Sequence, residues 1–390
     1  MKHAAVALAF VLMSTAAAHG ATVTGLALPA GFTVMPEGEQ RLISIAPDRT
    51  VAALAEATDQ TGRVRALRWE PNGMRSSFTP LPVLTAPDHG ESPGITFSVG
   101  GVAAAAGTTY VSATESFSGA YGGTAFEVQR WVGGRALRWK LPACASAAEG
   151  SDQHANAVDA HGRIALTIDV SGSGSFMVLS DDAGTLAPWA YVVRGTGCRS
   201  LGRGVVLGVR GRWAAGYLGY LNGHPAATNI NTIIQRNVAM RWHDEKRTAL
   251  GGGAAYAVTA DGFAVGASTI AGRFGSMTTN FFGNPGRTYD SPVPHAIAWD
   301  ARGRRVALER GGKRSVAYDV ANDGTAFGTL QDAGGKHFAF RWRAGRLQRL
   351  DDLPHPAGWR FESAYAVAPD GTVAGIGTFH GVATVFIWRE

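Results

Sequence analysis

The chain is short of charge: Asp, Glu, Lys and Arg make up only 17 % of its 390 residues. A helical bundle of this length needs charged solvent faces, so the scarcity argues against one. Lysine is rarer still, five among 36 basic residues, and a net charge of +6 is thin over such a length. The arginine runs, Arg302, Arg304, Arg305 and Arg310, then Arg341, Arg343, Arg346 and Arg349, read as solvated strand faces rather than a nucleic-acid surface. With two cysteines and no Cys-x-x-Cys there is no thiol-based metal or redox motif. His-Glu-x-x-His, Gly-x-Ser-x-Gly and a Walker loop are also missing, so no metal and no cofactor is expected. What the chain does have is 52 glycines, 17 prolines and 36 aromatic residues, 17 Phe, 10 Trp and 9 Tyr. That is an all-β composition, rich in turns, with enough apolar surface to fold.

Residues 1–18 read as a signal peptide. Lys2 and His3 precede an apolar run from Ala4 to Met13, too short to span a bilayer, and small residues follow up to Ala18. Export to the periplasm or beyond is expected, and no later apolar run is long enough for a transmembrane helix. Residues 19–390 then form one domain, expected as a monomer.

That domain is repetitive. A first unit, Val-x-x-Asp-Gly with a further glycine four residues on, occurs at Val258/Asp261/Gly262/Gly266, at Val320/Asp323/Gly324/Gly328 and at Val367/Asp370/Gly371/Gly375. Weaker copies contain Asp159, Gly162 and Asp48, the last followed by Arg49 where the others have glycine. Each is two short runs joined at a turn whose glycine tolerates positive φ, a β-hairpin pattern. A second hairpin follows each first one, its leading strand ending near Trp69, Trp131, Trp242, Trp299, Trp342 or Trp388. A seventh copy without Trp is read at Phe176–Leu179.

Two hairpins make a four-stranded sheet with two faces to bury, and seven such sheets packed radially bury them. The expectation is a β-propeller of seven four-stranded blades. Approximate blades are 41–82, 95–142, 155–190, 201–250, 255–308, 316–353 and 364–390, the last completed by residues 22–29. Gly25 to Phe32 parallels Leu353 to Trp359, which suits an N-terminal strand that closes the ring. The recurring tryptophans read as blade-to-blade packing. An outer-membrane barrel fits less well, because the tryptophan steps are irregular.

His295-Ala-Ile-Ala-Trp299 and His337-Phe-Ala-Phe-Arg-Trp342, the latter followed by Asp351-Asp352-Leu353 and by the hairpin at Asp370-Gly371, resemble the bacterial extracellular HAF-repeat proteins. The resemblance covers about residues 254–390. It implies secretion and a repeat fold, and it carries no agreed activity, so no residue role is transferred.

Cys144 and Cys198 stand one repeat length apart, each read in a connection that leaves a blade. In an exported chain they read as a disulfide joining the second and third blades, worth roughly 4 kcal/mol by loop entropy. Antiparallel order puts the first-to-second and third-to-fourth strand turns on one face, where they are tight. The other face carries the long insertions of the fourth and fifth blades. These hold Asn222, His224, Asn231 and Arg236, then Phe281, Phe282, Arg287, Tyr289 and Asp290. Aromatics beside Asn, Arg and Asp suit a glycan or cell-envelope ligand, by stacking and hydrogen bonding. The expected function is a non-enzymatic binding scaffold. The alternative is a carbohydrate-active hydrolase or lyase on that face, using two of Glu91, Glu115, Asp290 and Glu362. Ser180–Thr185 resembles part of a sialidase Asp-box and is read as a turn between a third and a fourth strand.

Overall fold

The computed structural model describes residues 21–34, 43–58, 64–71, 75–78, 95–105, 107–117, 123–133, 135–139, 142, 152–169, 189–194, 196–219, 237–269, 293–311 and 313–390. Their strands form seven antiparallel sheets, each with strands A to D running from the axis outwards. In blade 1, strand A is split into Phe32–Val34 and Ile43–Ile45, both paired to strand B, Val51–Ala57. Strands C and D are Val64–Trp69 and Arg75–Phe78. The A and D strands of the others are Ile95–Ala105 and Arg135–Arg138 in blade 2, Asp152–Val158 and Gly197–Arg203 in blade 3, and Val205–Arg210 and Lys246–Gly252 in blade 4. They are Ala254–Val258 and Arg305–Ala307 in blade 5, and Ser315–Val320 and Arg346–Arg349 in blade 6. Blade 7 runs Trp359–Val367, Val373–Phe379 and Val382–Arg389, and its D strand is the N-terminal Thr22–Leu26, in register from Thr22 opposite Arg389 to Leu26 opposite Val385. Each A strand touches the A strands of both neighbours, and blade 7 returns to blade 1. The molecule is a seven-bladed β-propeller, closed by a strand from each end of the chain.

Blade 3 differs from the sequence expectation. Its C strand is Trp189–Arg194, paired to Ile164–Asp169, and its outer edge reaches Arg203. Phe176–Leu179 is therefore not the third strand, and it lies outside the described residues. Ser180–Thr185 precedes the C strand, so the Asp-box-like stretch does not join the third strand to the fourth. Cys198 lies within strand D rather than in a connection. Trp189 opens its strand where the other tryptophans close theirs, which hides this blade from a search on tryptophan spacing.

The repeat has a physical cause in each A–B hairpin. At Ala368-Pro-Asp-Gly-Thr372 the Ala368 N–H donates to the Thr372 carbonyl, the Gly371 N–H to the Ala368 carbonyl, and the Thr372 N–H to Asp370 Oδ1. Gly371 has φ +83°, and the aspartate satisfies a backbone donor that the turn leaves open. Blade 6 repeats the arrangement at Asp323, and blade 1 keeps it with Arg49 at φ +70°. Past the turn, the A strands of blades 4 to 7 each carry a β-bulge, as between Ala317 and Asp319. The bulge brings an A-strand carbonyl against strand B, so a Cβ at Gly216, Gly266, Gly328 or Gly375 would sit 1.8, 2.0, 1.9 or 2.1 Å from that oxygen. The second glycine of the motif is thus a steric requirement.

Blades are joined by side chains that look both ways from strand C. Trp242 and Trp299 are fully buried and donate Nε1–H to the carbonyls of Leu201 and Leu250 on the D strand of the preceding blade. The residue before the tryptophan points forward. Arg68 of blade 1 donates to Ala105 O and Thr109 Oγ1 of blade 2, and Arg241 of blade 4 reaches the Gly262 carbonyl and, at 2.8 Å, the Asp300 carbonyl of blade 5. Arg341 of blade 6 pairs with Glu390 at the end of blade 7. Its side chain is only 12 % exposed, so reading Arg341 as part of a solvated face is corrected: its charge is spent at a blade interface. Arg241, burial lowering its pKa against the pull of the Asp300 charge, also lies 4.9 Å from the Trp213 ring centroid.

The bulged residues fill the axis. Tyr256, Tyr318 and Tyr365 hold the same place in blades 5, 6 and 7, their ring centroids 5.8 and 4.9 Å apart in turn. With Ile43, Val102 and Val205 they form the innermost part of the core.

Candidate functional site

The two faces of the ring differ. On one, the A–B and C–D turns are tight wherever they are described. Around the axis this face has a cavity of about 190 Å³. Arg210 of blade 4 reaches across it to blade 6, donating to Val320 O at 2.8 Å and Asn322 Oδ1 at 3.1 Å. Asp319 lies buried beside it and accepts the N–H groups of Val320 and Val367. Near the rim Asp244 bridges Arg199 of blade 3 and Arg212 of blade 4, and the Arg212 hydrogen bond above all holds its carboxyl below the usual aspartate range.

The opposite face carries the B–C connections and the links from blade to blade. In blades 3, 4 and 5 the chain between strands B and C takes residues 170–188, 220–236 and 270–293. Blade 6 uses five residues, Asp332 to Lys336, and blade 7 two, His380 and Gly381. Blade 2 has no insertion of that kind, but its strands A, B and C have 11, 10 and 10 residues. They extend on this face by three or four residues beyond strands of six or seven, about 10 Å. By their B–C connections or strand lengths four consecutive blades, 2 to 5, are enlarged on this face, and the link from blade 1 to blade 2, residues 79–94, adds chain beside them. The insertions of blades 4 and 5 are those expected from the sequence. The expectation did not include blade 3, where the insertion holds the segment read as a strand, or the long hairpins of blade 2.

Asn222, His224, Asn231 and Arg236 belong to the blade 4 insertion, and Phe281, Phe282, Arg287, Tyr289 and Asp290 to that of blade 5. All nine lie outside the described residues. The strands that flank them, ending at Gly219 and Thr269 and resuming at Asn237 and Pro294, terminate on this face. Cys144 is also outside the described residues. Cys198 packs against a buried cluster made of Val128 of blade 2 and Ala155, Ile164, Leu166, Ile168 and Val193 of its own blade.

A polar floor lies where the insertions of blades 4 and 5 leave and rejoin their sheets. Asn237 is buried, and among the described residues neither atom of its amide has a hydrogen-bond partner. Its carbonyl accepts the Gly253 N–H. Next to it Ser268 donates to Gly252 O at 2.6 Å and accepts from Arg305 Nη2 at 2.9 Å. Opposite Ser268 in the sheet is His295, buried, with Nδ1 3.6 Å from Glu309 Oε2. Glu309 is buried too and accepts the N–H groups of Gly311 and Lys313, which fixes the link to blade 6. A buried imidazole held against a carboxylate can act as an acid or base towards a group reaching this floor. Glu362, one of the acids considered for hydrolysis, is ion-paired with Arg360 at 3.6 Å. Among the described residues no three His, Cys, Asp or Glu side chains converge as a metal site.

The fold and this asymmetric face define a closed seven-bladed propeller with one enlarged half-face. No protein-family model matches the chain, and no curated protein matches it. Solved structures do. The chain is similar to the β-propeller domain of the Trilobed protease from Pyrococcus furiosus, at 11 % identity and TM-score 0.47, covering 90 % of this chain and 95 % of that one. It is also similar to Pyrococcus horikoshii acylaminoacyl peptidase, at 10 % identity and TM-score 0.46, covering 92 % of this chain and 51 % of that one, about half its length. A third is the SapL1 lectin in complex with alpha methyl fucoside, at 13 % identity and TM-score 0.34, covering 92 % and 94 %. At these scores the likeness carries no argument about activity, and the blade count rests on the strand pairing of the chain itself.

Proposed function

We propose that the chain is an exported propeller, periplasmic or extracellular, that binds a glycan or another cell-envelope component on the enlarged half-face of blades 2 to 5 and does no chemistry on it. The carrying observation is the grouping of three insertions and one lengthened blade on consecutive sheets of one face. Scattered insertions would suit tolerated loop drift, whereas contiguous ones build a single binding surface. The leader-like residues 1–18 support export. So does the HAF-repeat resemblance, whose two best copies fall on the C strands of blades 5 and 6. A screen of the purified protein against a glycan array, repeated with Phe281, Phe282 and Arg287 changed to Ala, is expected to show binding that the triple variant loses by at least tenfold. Binding left intact in that variant sinks the assignment to these loops.

A second reading, a carbohydrate-active enzyme on the same face, is favoured by the buried His295–Glu309 pair. Turnover of a polysaccharide that disappears in Glu309→Gln would replace the scaffold reading. The Cys144–Cys198 disulfide belongs to the same proposal, because export provides the oxidising compartment. Intact-mass measurement after alkylation without reductant is expected to show no modified thiol. Two alkylated cysteines would remove the bridge.

A further inference from the structure

A separate feature lies on the opposite, tight-turn face, between blades 6 and 7. In blades 4 and 5 the strand C tryptophan seals the interface by donating to a leucine carbonyl of the preceding D strand, Leu201 or Leu250. The equivalent pair at blades 6 and 7 is Trp388 and Leu350, since Leu350 follows Trp342 by eight residues as Leu250 follows Trp242. Here the bond is not made. Leu350 opens a 3-10 turn, Leu350–Asp352, and its carbonyl instead accepts the Leu353 N–H at 3.1 Å. Trp388 is 2 % exposed and, among the described residues, its Nε1–H has no acceptor. Thr325 Oγ1, from the facing A–B turn, is likewise buried and unpartnered among them.

A groove of about 350 Å³ opens beside these two residues, within the range of small-ligand sites. Its wall includes the Arg343 guanidinium, which has unused capacity. Arg343 comes only within 3.7 Å of Asp323 and 3.9 Å of Glu390, contacts too long for hydrogen bonds. Arg341, in contrast, is taken up by Glu390 and Gln348. On the opposite wall Asp370 is bound by Arg49 at 2.9 Å; burial alone would raise its pKa, but the Thr372 and Arg49 hydrogen bonds hold it below the usual range. Asp323 is half exposed and offers acceptor oxygens.

The groove therefore combines a cationic donor held only by long ion pairs, two buried neutral donors in want of an acceptor, and a carboxylate acceptor, in a volume that fits one six-carbon unit. We propose that it is a binding site for a small hydroxylated carboxylate, a single sugar-acid unit. Arg343 takes the carboxylate, Asp323 accepts from hydroxyl groups, and a ligand oxygen lodged between the blades accepts from Trp388 Nε1 and Thr325 Oγ1. Neutral sugars lose the guanidinium contacts, and simple carboxylates lose the rest, so both bind more weakly.

Calorimetric titration of the full chain with D-glucuronate, D-glucose and acetate tests this. Glucuronate is expected to bind at least tenfold more tightly than either control, and Arg343→Gln to weaken it by tenfold or more with an unchanged unfolding midpoint. Trp388→Phe, which removes the indole N–H, is expected to weaken glucuronate several-fold. If that variant fails to fold, Thr325→Val takes its place. The Phe281, Phe282 and Arg287 triple variant is expected to bind glucuronate normally, which separates this groove from the insertion face whatever happens there. No heat with glucuronate, equal affinity for acetate, or indifference to Arg343→Gln would each overturn the proposal.

Discussion

Changing Gly328 to alanine is expected to cost about 4 kcal/mol or more, and changing it to valine to leave no folded protein. The added Cβ would lie 1.9 Å from the Val316 carbonyl oxygen and 2.9 Å from Phe340. Neither neighbour can yield cheaply. Val316 belongs to strand A, held between strand B and the axial core, and Phe340 is fully buried. The carbonyl stands there because of the bulge between Ala317 and Asp319, so relief would mean undoing the bulge that places Tyr318 at the axis. Gly252 is the control, as a Cβ there would meet nothing within 4 Å and its φ is outside the left-handed range. Gly252→Ala should stay within about 0.5 kcal/mol of the parent. Urea unfolding of the two variants decides: a Gly328→Ala protein within about 1 kcal/mol of the parent would show that the bulge and the glycine are not coupled.

Deleting residues 1–28 is expected to be nearly as severe. Strand Thr22–Leu26 provides the outer edge of blade 7 and buries Val23 and Leu26, worth together about 3–6 kcal/mol. Trp359 packs against Gly25 with its ring 3.2 Å from the position a Cβ would take, and the Ala21 N–H caps the Pro354 carbonyl. Without the strand, Val382–Arg389 becomes a bare edge of eight residues with unpaired backbone groups, a template for association. Size-exclusion chromatography should show aggregates, and the remaining monomer should melt roughly 10 °C lower. A peptide of residues 19–30 supplied in excess should restore part of the loss. An unchanged melting temperature in the truncated chain would mean that the ring is not held shut by this strand.

Much of the ring is legible in the chain because turn chemistry repeats. Asp-Gly turns, the glycine four residues on and the tryptophan at the end of strand C each answer to one physical need, and together they mark six blades. Blade 3 escapes because Val193 and Cys198 stand opposite each other near its C–D turn, where the repeat elsewhere puts tryptophan. The axial tyrosines do leave a signal, Ala-Tyr-x-Val at 255–258, 317–320 and 364–367. A bulge turns that tyrosine to the axis, and strict alternation does not anticipate a bulge. The groove between blades 6 and 7 is invisible in the sequence for a different reason. Trp388 matches the repeat, and what departs from it is the 3-10 turn that takes away its acceptor. On the insertion face, the lengths of the B–C connections can be read from the chain, whereas the floor of Asn237, Ser268, His295 and Glu309 joins residues from separate strands that only pairing brings together.

The Arg-Trp pair on strand C gives the ring a direction. Where the pair is complete it grips the blade behind with an indole and the blade ahead with a guanidinium, so a blade is at once a key for one neighbour and a lock for the other. A blade inserted or removed as a whole unit preserves that head-to-tail matching, whereas a cut inside a unit leaves a tryptophan without its carbonyl or an arginine without its turn. Blade number in such a chain can change by duplication or loss of whole repeats, and new chain ends are best tolerated where the present ring is already sewn, between one strand C and its strand D.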